Sequence, residues 1–103
     1  MTASPAVASQ QLRIEGEMTI YTAAELKGKI VAALNETDAL EIDLSQVSEI
    51  DTSGLQLLLL AKREAALLGK TAALVGHSHA VIECMDLCNV TASFGDQVVM
   101  AAG

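Results

Sequence analysis

The architecture of this chain depends on one stretch, Ile50-Asp-Thr-Ser-Gly-Leu55, in which an extended segment runs into the start of a leucine-rich helix. Asp51, Thr52 and Ser53 each carry a side-chain oxygen that can accept a hydrogen bond from the free backbone N–H groups of a first helical turn. One of these three residues is therefore expected to cap the helix.

A hydroxyl at this position is also suited to phosphorylation. The phosphate would accept hydrogen bonds from free N–H groups and lie at the positive end of the helix dipole. Gly54 is expected to keep bulk away from an approaching enzyme. The simpler interpretation is a strand-to-helix turn with a good cap, since capping serines are far commoner than regulatory ones. The residues alone leave both interpretations open.

Upstream of the turn, the pattern predicts a strand preceded by a helix. Residues 39–47 alternate apolar and polar side chains, as a strand with one polar face does. Before it, Thr22 and Glu25 have the spacing of a capping box, and apolar residues then recur on one helical face. We therefore predict a first helix over residues 22–36.

The N-terminal part of the chain contributes a tail and another strand. Residues 1–10 are small and polar, without the pattern of a secretory signal, and are expected to form a flexible tail. Residues 11–18 alternate like a half-buried strand, with Gly16 marking a bend or bulge before a possible short second strand. The domain itself is predicted to span residues 11–103.

Downstream, a helix is predicted from Thr52 to Leu68 and is closed by Gly69, a residue favoured for a left-handed cap. A short strand over 70–76 and a helix over 78–88 follow. Residues 97–100 fit either an edge strand or a last helical turn. The alternation of strands and helices around one sheet predicts an α/β domain without repeats or linkers.

The helix after the turn is apolar almost all round in its first half, because its leucines cannot all face one sheet. These leucines are Leu55, Leu57, Leu58, Leu59 and Leu60. Two alternatives follow: neighbouring helices bury this half on several sides, or some leucines stay exposed beside the turn. The second alternative would provide an apolar docking surface.

Composition narrows the classes of function. With 103 residues, 51% of them hydrophobic, the chain is expected to form one domain with an aliphatic core, since it has no Trp, one Tyr and one Phe. A net charge of −7 and the lack of aromatic platforms argue against nucleic acid and favour a basic or neutral protein surface as partner. No run is long enough for a membrane span, so we expect a cytoplasmic protein without membrane insertion.

Four potential metal ligands, His77, His79, Cys84 and Cys88, lie within twelve residues. Their spacing does not match the usual paired-ligand patterns, and the two cysteines lie on a mostly apolar helix face. We therefore predict reduced core cysteines and loop histidines, with no metal and no cofactor.

Three carboxylates, Asp43, Glu49 and Asp51, raise the alternative of acid–base or magnesium chemistry. However, the sequence has no Gly-rich phosphate loop and no Ser-His-Asp arrangement with a suitable histidine. Little chain is left to wall off a pocket. We therefore expect no enzymatic activity and no catalytic residues.

The order of the motifs adds a family resemblance. Glu41-Ile-Asp-Leu-Ser45 leads to Ile50-Asp-Thr-Ser-Gly-Leu55 and the leucine-rich helix, then to a small strand over 70–76 and a helix from Val81. From about Gln11 onward this order resembles the STAS domain of the anti-sigma factor antagonist family. The resemblance implies the STAS fold, a single mixed β-sheet of four to five strands packed with three to four α-helices.

The resemblance also implies a function in bacterial signal transduction and transcription regulation. In that family a serine matching Ser53 is phosphorylated by a serine kinase of the histidine-kinase-like ATPase fold. The unphosphorylated form binds that kinase or an anti-sigma factor, and a serine phosphatase restores it. Asp51 matches the family's acidic residue and Thr52 the first of its two hydroxyls, where serine is commoner. Thr52 is therefore the alternative phosphorylation site.

The partner-binding residues that follow from the resemblance and the turn are Asp51, Thr52, Ser53, Gly54 and Leu55. STAS domains that do not switch are the alternative. One of them is the STAS accessory subunit of bacterial phospholipid-asymmetry ABC transporters, which is similar to this chain. It carries a hydroxyl residue at the position of Thr52, where it supports docking to the ATPase subunit. Others belong to chemotaxis-type signalling clusters. The presence of Ser53 beside Thr52 favours the switch.

Overall fold

The computed structural model describes residues 9–88, in which strands and helices alternate along the chain. The elements are β1 (Ser9–Met18), α1 (Ala23–Glu36), β2 (Ala39–Ile50), α2 (Thr52–Leu67), β3 (Thr71–Val75) and α3 (His79–Cys88). The predicted α/β alternation is confirmed, and β1 begins within the segment predicted as a tail. The alternatives for residues 97–100 lie outside the described residues.

The three strands form one parallel sheet in the order β1-β2-β3. α1 and α2 contact each other, as expected for the helices of two right-handed crossovers that advance in one direction along the sheet. α3 packs chiefly against β2. Within residues 9–88 the sheet is entirely parallel, so four to five strands in a mixed sheet are not confirmed. The described helices number three, at the lower end of the expected range.

The pairing of β1 with β2 is bulged near Gly16, where the sequence predicted a bend or bulge before a possible short second strand. The register shifts between Arg13 and Glu15 and again after Gly16, so that β2 contributes an extra residue each time. Gly16 has φ +83°, in the left-handed region that glycine adopts readily, and it pairs with Val47 just before the second register shift. The strand thus continues through Gly16 to Met18, and the expected bulge is confirmed.

Asp43 fixes the bulge of β2 from the sheet face opposite Leu40 and Ile42. Its Oδ1 accepts a hydrogen bond from the Ser45 N–H at 2.9 Å, and its Oδ2 accepts one from Arg13 Nε at 3.1 Å. The Ser45 N–H lowers the pKa of Asp43, with a smaller contribution from Arg13, and outweighs the opposing effect of burial. This residue of the predicted polar face is therefore a buried structural anchor.

The core is aliphatic, as the composition predicts. α1 buries the predicted face, Leu26, Ile30, Ala33 and Leu34. β2 contributes Leu40, Ile42, Leu44 and Val47, and α3 contributes Val81 and Met85. Within residues 9–88 no helix has the length and apolar character needed to cross a bilayer.

The prediction of a capping box at the start of α1 is wrong, although the helix begins within one residue of the predicted position. Thr22 is the N-cap residue, but its hydroxyl makes no cap hydrogen bond to the helix. Instead, it accepts from the Thr19 N–H and lies 3.0 Å from the Glu17 carbonyl oxygen. The hydroxyl is used to close the β1–α1 loop and is therefore not available to the helix.

Candidate functional site

Asp51 is the residue that caps α2. Its Oδ1 accepts a hydrogen bond from the Gly54 N–H at 3.2 Å, and its Oδ2 accepts one from the Ile20 N–H at 3.1 Å. Its own N–H donates to the Met18 carbonyl at 3.2 Å. One side chain thus caps the helix and ties the β1–α1 loop to it.

The two hydroxyls that follow are not needed for capping. Thr52 is exposed and Ser53 is half-buried in the first turn of α2. Within residues 9–88, neither hydroxyl forms a hydrogen bond with another residue. The good cap that the simpler interpretation expects is therefore present, and Asp51 supplies it without either hydroxyl.

Gly54 has a different role from the one expected. It is buried, and a Cβ there would overlap the Met18 carbonyl oxygen and lie 2.7 Å from Ile50 Cγ1. Its missing side chain therefore allows α2 to approach the end of β1, and it does not open a path for an enzyme. Leu55 is also buried, with 4% exposure. Of the predicted partner-binding residues, Thr52 and Ser53 have side chains that reach the surface and form no hydrogen bond within residues 9–88.

Ser53 opens onto a groove between α1 and α2. The groove has a volume of about 590 Å³. It is lined by Ala23, Ala24 and Lys27 from α1 and by Ser53, Gln56, Leu57, Leu59, Leu60 and Arg63 from α2. Ser53 and Arg63 are ten residues apart, so the groove follows α2 for roughly 15 Å at the rise of an α-helix.

The leucine-rich half of α2 combines the two alternatives that its sequence left open. Leu55, Leu57 and Leu58 are buried, whereas Leu59 and Leu60 are half-buried. Leu57, Leu59 and Leu60 all line the groove. α2 therefore buries most of its apolar surface and leaves part of it in an open cleft beside Ser53.

Two exposed apolar residues next to the turn were not recognised from the sequence. Ile20 and Tyr21 in the β1–α1 loop are 67% and 90% exposed. The Ile20 N–H is held by Asp51, which places this loop beside the start of α2. Two apolar residues directly after a strand could have indicated an exposed apolar loop. The contact of this loop with Asp51 could not be predicted, because the two segments are 31 residues apart in the sequence.

The histidines and cysteines do not assemble into a metal site in the part of the chain that the structure describes. His79 is exposed and pairs with Glu83 at 3.1 Å, whereas His77 is buried. The predicted core position is wrong for Cys88, which is exposed, and Cys84 is half-buried. Burial and the neighbouring Cys88 raise the pKa of the Cys84 thiol, which makes it a poor nucleophile.

The three carboxylates have separate roles in the fold. Asp43 holds the bulge of β2 and Asp51 caps α2, while Glu49 is exposed. Two of the three are thus engaged by backbone N–H groups of the fold itself.

Comparisons with known proteins agree on the fold. The family model described as "Mlab, STAS domain" matches residues 1–99. A search of the curated proteins finds no match.

Several solved structures are similar to the chain. The anti-sigma factor antagonist SpoIIAA in its unphosphorylated form is 20% identical with a TM-score of 0.65, over 97% of this chain and 86% of that chain. A sulfate transporter family protein from Wolinella succinogenes is 18% identical with a TM-score of 0.70, over 91% and 76%. The phosphorylated form of SpoIIAA, a Bacillus cell fate determinant, is 18% identical with a TM-score of 0.65, over 90% and 84%. At these identities the likeness establishes the fold.

Proposed function

The chain belongs to the STAS domain family, and on this basis we propose that it is a partner-switching regulator controlled by phosphorylation of Ser53, with Thr52 as the alternative site. The unmodified form binds a serine kinase or anti-sigma factor of the histidine-kinase-like ATPase fold. Phosphorylation releases that partner, and a serine phosphatase restores binding. The protein acts by binding and has no catalytic activity of its own.

One observation carries this proposal. Asp51 supplies the cap of α2, so the Ser53 hydroxyl has no structural bond within residues 9–88 and faces an open groove. A serine with a capping role would be costly to modify, whereas this one can accept a phosphate without loss of a bond in the fold. The likeness to SpoIIAA, solved in unphosphorylated and phosphorylated forms, supports the same assignment.

The physical basis of release is electrostatic. A phosphate on Ser53 adds about −1.5 to −2 charges at the edge of the contact. Burying such a dianion against a partner surface that supplies no cation of its own costs up to several kcal/mol, enough to release an ordinary complex. The core residues of α2 stay in place, so release does not require refolding.

The experiment that tests this function uses an ATPase-fold kinase encoded in the same genome. Ser53→Ala should retain affinity for that kinase in native mass spectrometry, and Ser53→Asp should weaken it. Thr52→Ala and Thr52→Asp are the matched controls. Phosphopeptide mapping after incubation with kinase and ATP should find the phosphate on Ser53. Equal affinity of the Ser53→Ala and Ser53→Asp variants would reject the switch.

A non-switching adaptor is the second candidate, and two observations favour it. The matching family model is described by the name Mlab, and Thr52, the exposed hydroxyl of the turn, matches the docking residue of such subunits. In this case Thr52→Ala should weaken binding to a transporter ATPase, and Ser53→Ala should not. A chemotaxis-type signalling cluster is a further setting for an adaptor. The neighbouring genes separate the transporter, chemotaxis and sigma-regulator contexts.

A further inference from the structure

The groove between α1 and α2 is lined by both apolar and charged side chains. Its apolar lining on the α2 side is formed by Leu57, Leu59 and Leu60. On the α1 side, Ala23 and Ala24 have small side chains that leave the groove open. At roughly 15 Å it is long enough for almost three turns of an α-helix. Amphipathic helices commonly bind in grooves of this kind.

The charges of the groove indicate what kind of helix it accepts. Its charged lining residues are Lys27 and Arg63, both cationic, although the chain has 13 acidic and 6 basic residues. Glu64 lines a different, narrow pocket of about 10 Å³, which Lys27 also borders. The main groove is thus locally positive in an acidic protein.

The other basic residues are already engaged within the fold. Arg13 pairs with Asp43, Lys29 with Glu25, and Lys62 and Lys70 donate to the carbonyl oxygens of Ala72 and Leu34. Within residues 9–88, Lys27 and Arg63 form no salt bridge and no hydrogen bond through their side chains. The two cations without an internal partner are therefore the two that line the groove.

From this arrangement we propose that the α1–α2 groove binds an acidic amphipathic helix of the partner protein. Apolar side chains of that helix lie on Leu57, Leu59 and Leu60, and its carboxylates pair with Lys27 and Arg63. The net charge of −7 does not prevent this, since charges farther away than about 8–10 Å are screened at physiological salt.

This inference rests on the proposed function and specifies the partner surface that phosphorylation displaces. Ser53 lies at one end of the same groove. A phosphate there repels the carboxylates of the bound helix and competes with them for nearby cations. The groove explains why one modification at its end releases a partner that binds along its length.

The test is an unbiased selection against the full chain. A phage-displayed library of amphipathic helices, with leucines fixed on one face and the flanking positions randomised, is selected for binding. The proposal expects enrichment of Asp and Glu at the flanking positions. Fluorescence anisotropy of the best synthetic peptide should show at least about tenfold weaker binding to Lys27→Glu/Arg63→Glu. Enrichment of basic or uncharged helices would overturn the proposal.

Lys29→Glu is the matched control, because Lys29 is on the same helix as Lys27 but lies outside the groove. It should leave peptide affinity unchanged, and circular dichroism checks that each variant is folded. If the charge reversals in the groove have no more effect than Lys29→Glu, the groove proposal fails. If they weaken the peptide but Ser53→Asp leaves kinase binding intact, the groove stands and the switch fails.

Discussion

Gly54 shows most directly how a single residue determines the position of the functional turn. Its Cα lies so close to the end of β1 that a Cβ would be 3.0 Å from Met18 Cβ and closer still to Ile50. The first turn of α2, with Thr52 and Ser53, can therefore occupy its place only with glycine at position 54. The same residue would otherwise be a poor choice near a helix start.

Gly54→Ala should therefore destabilise the protein by about 1–3 kcal/mol, because a backbone carbonyl and a packed side chain must move. Gly28→Ala is the matched control: it is a helical glycine in α1 with no atom within 4 Å of the added Cβ. There, alanine should stabilise by up to about 1 kcal/mol. Urea denaturation measures the change in the free energy of unfolding for both variants. Equal changes would contradict the close contact of Gly54 with Met18 and Ile50.

Asp43 adds a residue-scale prediction about pH. The Ser45 N–H lowers the pKa of Asp43 in the folded state below its ordinary value of 3.8. The ionised carboxylate therefore contributes stability that is complete above the unfolded pKa and lost as pH falls through the folded pKa. As pH is lowered from 5 to below the folded-state pKa of Asp43, the free energy of unfolding measured with urea should fall less for Asp43→Asn than for wild type. A variant with the wild-type pH profile would contradict the role of this carboxylate.

At the scale of elements, α2 combines a face that packs in the core with a face that lines the groove. Leu58 is completely buried, Leu59 and Leu60 face the groove, and Leu67 is 75% exposed near the end of the helix. The helix ends in a Schellman motif, in which Gly69 has φ +71° and the Lys70 N–H donates to the Ala65 carbonyl. Leucines of one helix thus have different roles according to their direction.

Leu58→Ala should cost about 2–5 kcal/mol, because it leaves a cavity in the core. Leu67→Ala removes the same atoms from an exposed position and should change stability by less than about 0.5 kcal/mol. Thermal or urea denaturation followed by circular dichroism measures both. A large cost for Leu67→Ala would mean that this surface is covered in solution.

The sequence predicted these elements well where one local pattern determined them. The buried face of α1, the strand before the turn and the glycine that ends α2 all follow from periodicity and helix-capping preferences. The capping box at Thr22 failed because a loop claimed its hydroxyl. The groove and the contact of Ile20 with Asp51 were missed because they depend on how distant segments pack.

At the scale of the whole molecule, charge and shape are distributed unevenly. The protein carries a net charge of −7, yet its groove presents Lys27 and Arg63. The overall charge favours partners that are basic or neutral, whereas the groove favours an acidic segment of such a partner. In the proposed switch, a phosphate at Ser53 would add about −1.5 to −2 charges at the end of this cationic groove.

The central claim is that a phosphate on Ser53 decides whether the partner is bound. The most direct measurement is isothermal titration calorimetry of the ATPase-fold kinase, with its catalytic activity removed, against the chain carrying genetically encoded phosphoserine at position 53. Phosphoserine at Ser48, an exposed residue of β2, is the control. We predict at least about 100-fold weaker binding for position 53 and wild-type binding for position 48. Equal affinity of the unmodified chain and the chain phosphorylated at Ser53 would contradict the account.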